Sequence, residues 1–125
     1  MWDAKQTELE PACYVEPSNA AEVALILDLL VKEGCRFAVK SRGHSRDAGQ
    51  SNIHGGVTID LGARLNMVEL SADKKSAKLG SGASWFDVYK KLEEHDLMVA
   101  GGRDGDVGVG GFTLGGAEHC LWGYP

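Results

Sequence analysis

The 125-residue chain predicts an α+β fold, a mixed sheet layered with helices. Three observations predict it. Two segments place apolar residues at helical spacing behind a capping residue. Several short segments alternate, or run β-branched, as strands do. Their order, helix, strand, strands, helix, strand, is too irregular for a regular doubly wound sheet.

Residues Met1 to Glu16 are mixed in character and broken by Pro11 and Pro17, so they read as a lead-in. Asn19 is placed to cap a helix, with Glu22 three positions on. Val23, Ile26, Leu27 and Leu30 form its apolar face, and Gly34 stops it. Arg36 to Ser41 alternates as a half-buried strand, and a polar loop, Arg42 to Asn52, follows. Val57 to Leu61 is a β-branched strand. Asn66 to Leu70 and Ala77 to Leu79 are shorter strands about a charged turn at Ala72 to Lys75. Ser84 caps a second helix, Trp85 to His95, with Phe86, Tyr89 and Leu92 as its apolar face. Leu97 to Ala100 reads as a short strand, and the chain from Gly101 onward as glycine-rich loop.

Composition excludes several classes. Hydrophobic residues are 43% and charged residues 25%, as in ordinary globular chains, which excludes wholesale disorder and collagen-like repeats. The net charge of −5 leaves no basic footprint for nucleic acid. No apolar run approaches the ~18 residues of a membrane span, and no leader is visible, so the chain as written reads as cytoplasmic, with localisation otherwise open. Cys13, Cys35 and Cys120 form no CxxC pair, and His44, His54, His95 and His119 form no HxxxH pair. No metal site is expected, and the thiols read as reduced and partly buried.

Two segments have the makings of a ligand site. The loop after the Arg36–Ser41 strand contains Gly43, which accepts positive φ, so successive backbone N–H groups there can form an anion-binding concavity. Arg42 and Arg46 would add charge, and Ser45, Ser51 and Asn52 hydrogen bonds. The alternative is a solvated polar loop. The second segment, Val107 to Gly116, lies in a stretch where eight of the 17 glycines occupy sixteen residues. That density is costly in chain entropy, and a bound ligand would offset it. Neither the dinucleotide fingerprint nor the Walker loop fits its spacing. His44 lies between Gly43 and Ser45, and a neutral imidazole nitrogen there is a nucleophile toward an electrophilic cofactor. Asp104 and Asp106 have the spacing of a weak acid/base or cation motif and read better as solvated loop.

Ordered blocks along the chain carry a family resemblance. They are Pro11 to Pro17, Phe37 to Ser45, Ser51 to Leu61 with Leu65-Asn66, Gly80 to Trp85, and Val107 to Gly116. The chain resembles the PCMH-type FAD-binding domain of the vanillyl-alcohol oxidase superfamily, in its berberine-bridge-enzyme-like branch, and within that the fungal oxidoreductases of secondary metabolism. The resemblance implies residues 1–125 as a single partial domain, the N-terminal portion of that fold. Residues 17–116 carry the match and 117–125 form a divergent tail. It also implies FAD as cofactor, held by Arg42, Gly43, His44, Ser45, Gly49, Asn52, Val107, Gly108, Gly110, Gly111, Thr113, Gly115 and Gly116.

In the family the flavin is often bonded covalently to the histidine of a Gly-Gly-His-Ser-like block. That position is His44, and Arg42 replaces one glycine of the block. Many relatives add a cysteinyl bond at the position of Asp104, which excludes that second link here. The substrate domain of longer relatives is missing, so no catalytic residue is assigned. The implied function is the cofactor-binding domain of a flavin-dependent oxidoreductase. The alternatives are an inactive flavin- or partner-binding remnant, and a repurposed non-redox enzyme around Trp122 and Tyr124. Self-association through an uncovered apolar face is a further expectation.

Overall fold

In a computed structural model, residues 1–116 are described. The elements are α1 (Ala4–Thr7), β1 (Cys13–Val15), α2 (Ala20–Lys32), β2 (Phe37–Lys40), β3 (Val57–Asp60), β4 (Val68–Leu70), β5 (Ala77–Leu79), α3 (Trp85–Glu93) and α4 (Val109–Leu114).

α2 begins and ends by local chemistry. The Asn19 side chain accepts from the Glu22 amide at 2.9 Å, and the Glu22 carboxylate accepts from the Ser18 amide at 2.7 Å. At the other end Gly34 has φ +64, which lets the Cys35 amide reach the Leu30 carbonyl and the Gly34 amide the Val31 carbonyl, the pairing of a Schellman motif. Leu30 is buried, and Val23, Ile26 and Leu27 are half-buried beside it, while Leu25, Leu29 and Val31 face out. Asn19→Ala is expected to cost about 1 kcal/mol, because the Glu22 amide loses its acceptor. A urea unfolding curve with an unshifted midpoint would contradict this.

Strand pairing separates into two sheets. β1, β3 and β2 form a parallel sheet in that order, with Cys13 and Phe37 both opposite Val57. β4 and β5 form an antiparallel hairpin, with Val68 opposite Leu79. Parallel and antiparallel strands thus both occur, as the α+β reading requires, but they do not share one sheet. β3 is central, and its Thr58 and Ile59 are fully buried. The second core lies under α3, where Trp85, Val88 and Leu92 pack with Ala83 and Val109 against Val68, Leu70 and Leu79 of the hairpin. The Phe112 ring meets Trp85 edge-on at 5.1 Å, joining α4 to this core.

Five expectations from the sequence need correction. The first sixteen residues are not a lead-in, because they supply α1 and an edge strand of the parallel sheet. The buried face of α3 is Trp85, Val88 and Leu92, whereas Phe86 is 60% exposed. Leu97 to Ala100 forms no strand: Leu97 packs on the α3 core and Met98 is exposed. The glycine-rich segment is not all loop, since Val109–Leu114 is helical. Cys13 and Cys35 are exposed rather than partly buried. Cys120, His119, Trp122 and Tyr124 lie outside the described residues.

Candidate functional site

The site forms where the end of β2 meets the turn before α3 and the start of α4. The Ser41 hydroxyl donates to the Ser81 carbonyl at 2.6 Å. Gly108 lies so close to Ser41 that a Cβ on it would stand 2.2 Å from the Ser41 oxygen. The amides of Val109 and Gly110 donate to the carbonyls of Ala83 and Ser81 at 2.9 and 3.1 Å. These contacts fasten α4 to the β2 loop and leave a cleft of about 490 Å³ between them.

Most of the sequence-predicted residues border this cleft. Arg42, Gly43, His44 and Ser45 line one side, and Val107, Gly108, Gly110, Gly111 and Gly115 the other. Gly49, Asn52, Thr113 and Gly116 do not. Gly49 is on an exposed turn, Gly116 follows α4, and the Thr113 hydroxyl donates to the Val109 carbonyl within its own helix. Asn52 is fully buried behind the loop. Its amide donates to the carbonyls of Gln6 and Leu9, both at 2.8 Å, and its oxygen accepts from Thr58 at 2.7 Å and Tyr14 at 3.3 Å. The Gln6 side chain is buried with it, donating to the Asp47 carbonyl. α1 thereby holds the loop from below.

The sequence reading did not place Ser41, Ser81, Phe112 or Leu114 at the site. Ser81 had a signal, since it lies in the Gly80–Trp85 block. Phe112 and Leu114 had one too, since they lie in the Val107–Gly116 block, but α4, which brings them to the cleft, was unforeseen.

The two halves of the cleft differ chemically. The amides of Gly43, His44 and Ser45 donate no hydrogen bond among the described residues. Gly43 has φ +72, a conformation that favours glycine, and here it turns the chain so that three successive amides are left free. Arg42 stands beside them, exposed and without an ion pair among the described residues. Val39, Leu61, Phe112 and Leu114 supply an apolar wall. Across the cleft the Val107–Gly116 segment is different. The segment is a helix whose amides at Val109, Gly110, Phe112 and Gly115 are bonded to protein carbonyls.

His44 is held on two sides. The Trp2 indole stacks on its ring at 4.6 Å and 16°, and the Arg46 guanidinium lies 5.2 Å from the Trp2 ring centre. Its Nε2 is buried without a formed hydrogen bond, and Asp104 Oδ2 stands 3.4 Å away, at ion-pair distance. The Asp104 carboxyl is held below its usual range, chiefly by the Asp106 amide; burial opposes this, and His44 adds a smaller lowering effect. Three unpartnered amides, an apolar wall and a fixed imidazole therefore share one cleft. Among the described residues no cluster of His, Cys, Asp or Glu is built to hold a metal ion.

Comparison with known proteins matches residues 11–121 to a family model described as FAD binding domain. The FAD-dependent monooxygenase tpcD of Cochliobolus heterostrophus is 44% identical over 92% of this chain and 22% of that protein. The FAD-dependent monooxygenase FUP4 of Fusarium proliferatum is 44% identical over 98% of this chain and 23% of its own length. Among solved structures, chitooligosaccharide oxidase superposes with a TM-score of 0.71 at 30% identity, over 82% of this chain and 22% of that one. The glucooligosaccharide oxidase of Acremonium strictum shares the fold, with a TM-score of 0.78 at 22% identity, over 91% of this chain and 24% of that one. The chain spans less than a quarter of the length of each.

Proposed function

The chain belongs to the FAD binding domain family, and on that premise we propose that its cleft holds the cofactor's diphosphate on the amides of Gly43, His44 and Ser45. The observation that carries this reading is the run of three unpartnered amides beside Arg42 at the mouth of the cleft. The apolar wall of Val39, Leu61 and Phe112 suits a flat ring system, so the residues present fit the diphosphate and one ring system of FAD. Bound FAD supplies hydride-transfer chemistry, and the protein supplies position and exclusion of water. In a longer protein of the kind that tpcD and FUP4 exemplify, the activity proposed is oxidation of a small organic substrate. For this chain by itself the proposal is cofactor binding without turnover, because among the described residues the cleft has one apolar wall.

His44 is the proposed point of covalent flavin attachment: a ring nitrogen takes the place of one hydrogen on a flavin methyl group, and the two electrons and two protons released pass to dioxygen. Loaded with FAD, the chain is expected to turn yellow and to keep the colour through acid precipitation, while His44→Ala binds FAD reversibly and loses the colour in acid. A wild-type chain that takes up no FAD refutes the proposal.

Gly111 gives a test in which stability and binding move in opposite directions. It is exposed on α4 at the cleft, and a Cβ there would meet nothing within 4 Å. Gly111→Ala is expected to stabilise the free chain by about 0.5–1 kcal/mol, because alanine is the better helix former. The added methyl narrows the cleft, so FAD affinity is expected to fall. Thermal melts of the free chain and a fluorescence titration with FAD check both directions.

A further inference from the structure

Asp104 is held so that one oxygen is spent and the other aims at His44. Its Oδ1 accepts from the Asp106 amide at 2.9 Å, a short loop bond that fixes the carboxylate. Its Oδ2 is the oxygen 3.4 Å from the buried Nε2 of His44. The opposite constraint comes from Trp2, whose indole covers one face of the same ring and whose amide donates to the Gly43 carbonyl at 3.1 Å. The charged groups near the pair are Arg46, against Trp2, and Arg103 and Asp106, next along the Asp104 loop.

A neutral imidazole carries one N–H and one lone pair, and the partner of one nitrogen decides which is which. A carboxylate is an acceptor only, so it selects the N–H form at the nitrogen it faces. We propose that Asp104 is the positioning residue for His44: it takes the Nε2–H and leaves the Nδ1 lone pair as the nucleophilic edge offered to the cleft. One face is closed by Trp2 and one nitrogen is occupied by Asp104, so Nδ1 is the remaining reactive atom. The inference rests on the reading of His44 as the flavin-attachment residue, but the state of the ring exists without any flavin.

The test uses the full chain, labelled with ¹⁵N and free of FAD, at about pH 8.5, where a free imidazole is neutral. A protected ring proton is expected on His44 Nε2. It should vanish in Asp104→Ala and persist in Asp104→Asn, whose side-chain carbonyl still accepts. A purely structural role for Asp104 would not follow that pattern. A ring proton on Nδ1, no protected ring proton in the wild type, or an Nε2 proton that survives in Asp104→Ala overturns the proposal. With FAD present, acid-stable flavin should accumulate at least about tenfold more slowly in Asp104→Ala, with reversible FAD affinity little changed. Equal rates also overturn it. Failure of the wild type to take up FAD overturns the cofactor reading instead, and the proton position then still decides the role of Asp104.

Discussion

Replacing Gly82 by alanine is expected to destabilise the chain by about 3 kcal/mol, the largest single effect of a one-carbon change in this molecule. The added Cβ would stand 2.1 Å from the Leu61 carbonyl oxygen and 2.4 Å from its carbon, with the Gly62 Cα at 2.7 Å. All three are main-chain atoms, so no side-chain rotation relieves the overlap. Neither strip of backbone is free to retreat. The Gly82 amide donates to the Leu65 carbonyl, and the Leu65 amide to the Leu61 carbonyl, both at 2.9 Å. Gly34→Ala is the control: its Cβ meets nothing within 4 Å, so only the left-handed conformation is strained, at about 1–2 kcal/mol. Denaturant midpoints for the two variants check the difference. Equal losses would mean that the close approach of residues 61 and 82 is not rigid.

The second large effect is at Asn52. Leucine has nearly its shape and none of its polar atoms. Asn52→Leu leaves the carbonyls of Gln6 and Leu9 and the hydroxyl of Thr58 without the partner they have now. A buried polar group stranded in this way costs about 1–3 kcal/mol, so a total near 3–5 kcal/mol is expected. The Tyr14 hydroxyl, at 3.3 Å and on a half-exposed ring, contributes least. The loss is expected in the FAD-free chain, with faster hydrogen exchange in α1 than in α3. A variant of unchanged stability that binds FAD poorly would instead make Asn52 a direct ligand of the cofactor.

How much of this was legible depends on the range of the interaction that decides each residue. The two long helices were read correctly at their starts because Asn19 and Ser84 act within three residues. β3 was legible from its β-branched run. The edge strand Cys13–Val15 was not, because three residues beside Pro11 and Pro17 carry no pattern and become a strand only by pairing with β3. The face of α3 was misread by one step. Phe86, Tyr89 and Leu92 have helical spacing, but so do Trp85, Val88 and Leu92, and the packing of Gly101 and Gly102 against the Trp85 ring selects the second set.

At the site, Gly43 and His44 were found because their block is local and specific. α4 was missed because glycines argue against a helix, and contacts to Ser81 and Ala83, distant in sequence, override that preference. Asn52 was singled out for a polar role toward a ligand. Three of its partners, Gln6, Leu9 and Tyr14, lie on the segment that had been read as a lead-in, and the fourth, Thr58, on β3, so no local pattern in the sequence pointed to them.

The central place of β3 has a consequence during synthesis on the ribosome. Among the described residues β1 and β2 do not bond to each other, and each pairs with β3 alone. Until Asp60 has left the exit tunnel, the nascent polypeptide has two strands with unsatisfied edges and no template between them. Such a delay favours capture by chaperones and makes early residues vulnerable to proteases. Stalled nascent chains ending before Val57 should be digested readily at Cys13 to Val15. Those that carry β3 and the hairpin beyond it should resist.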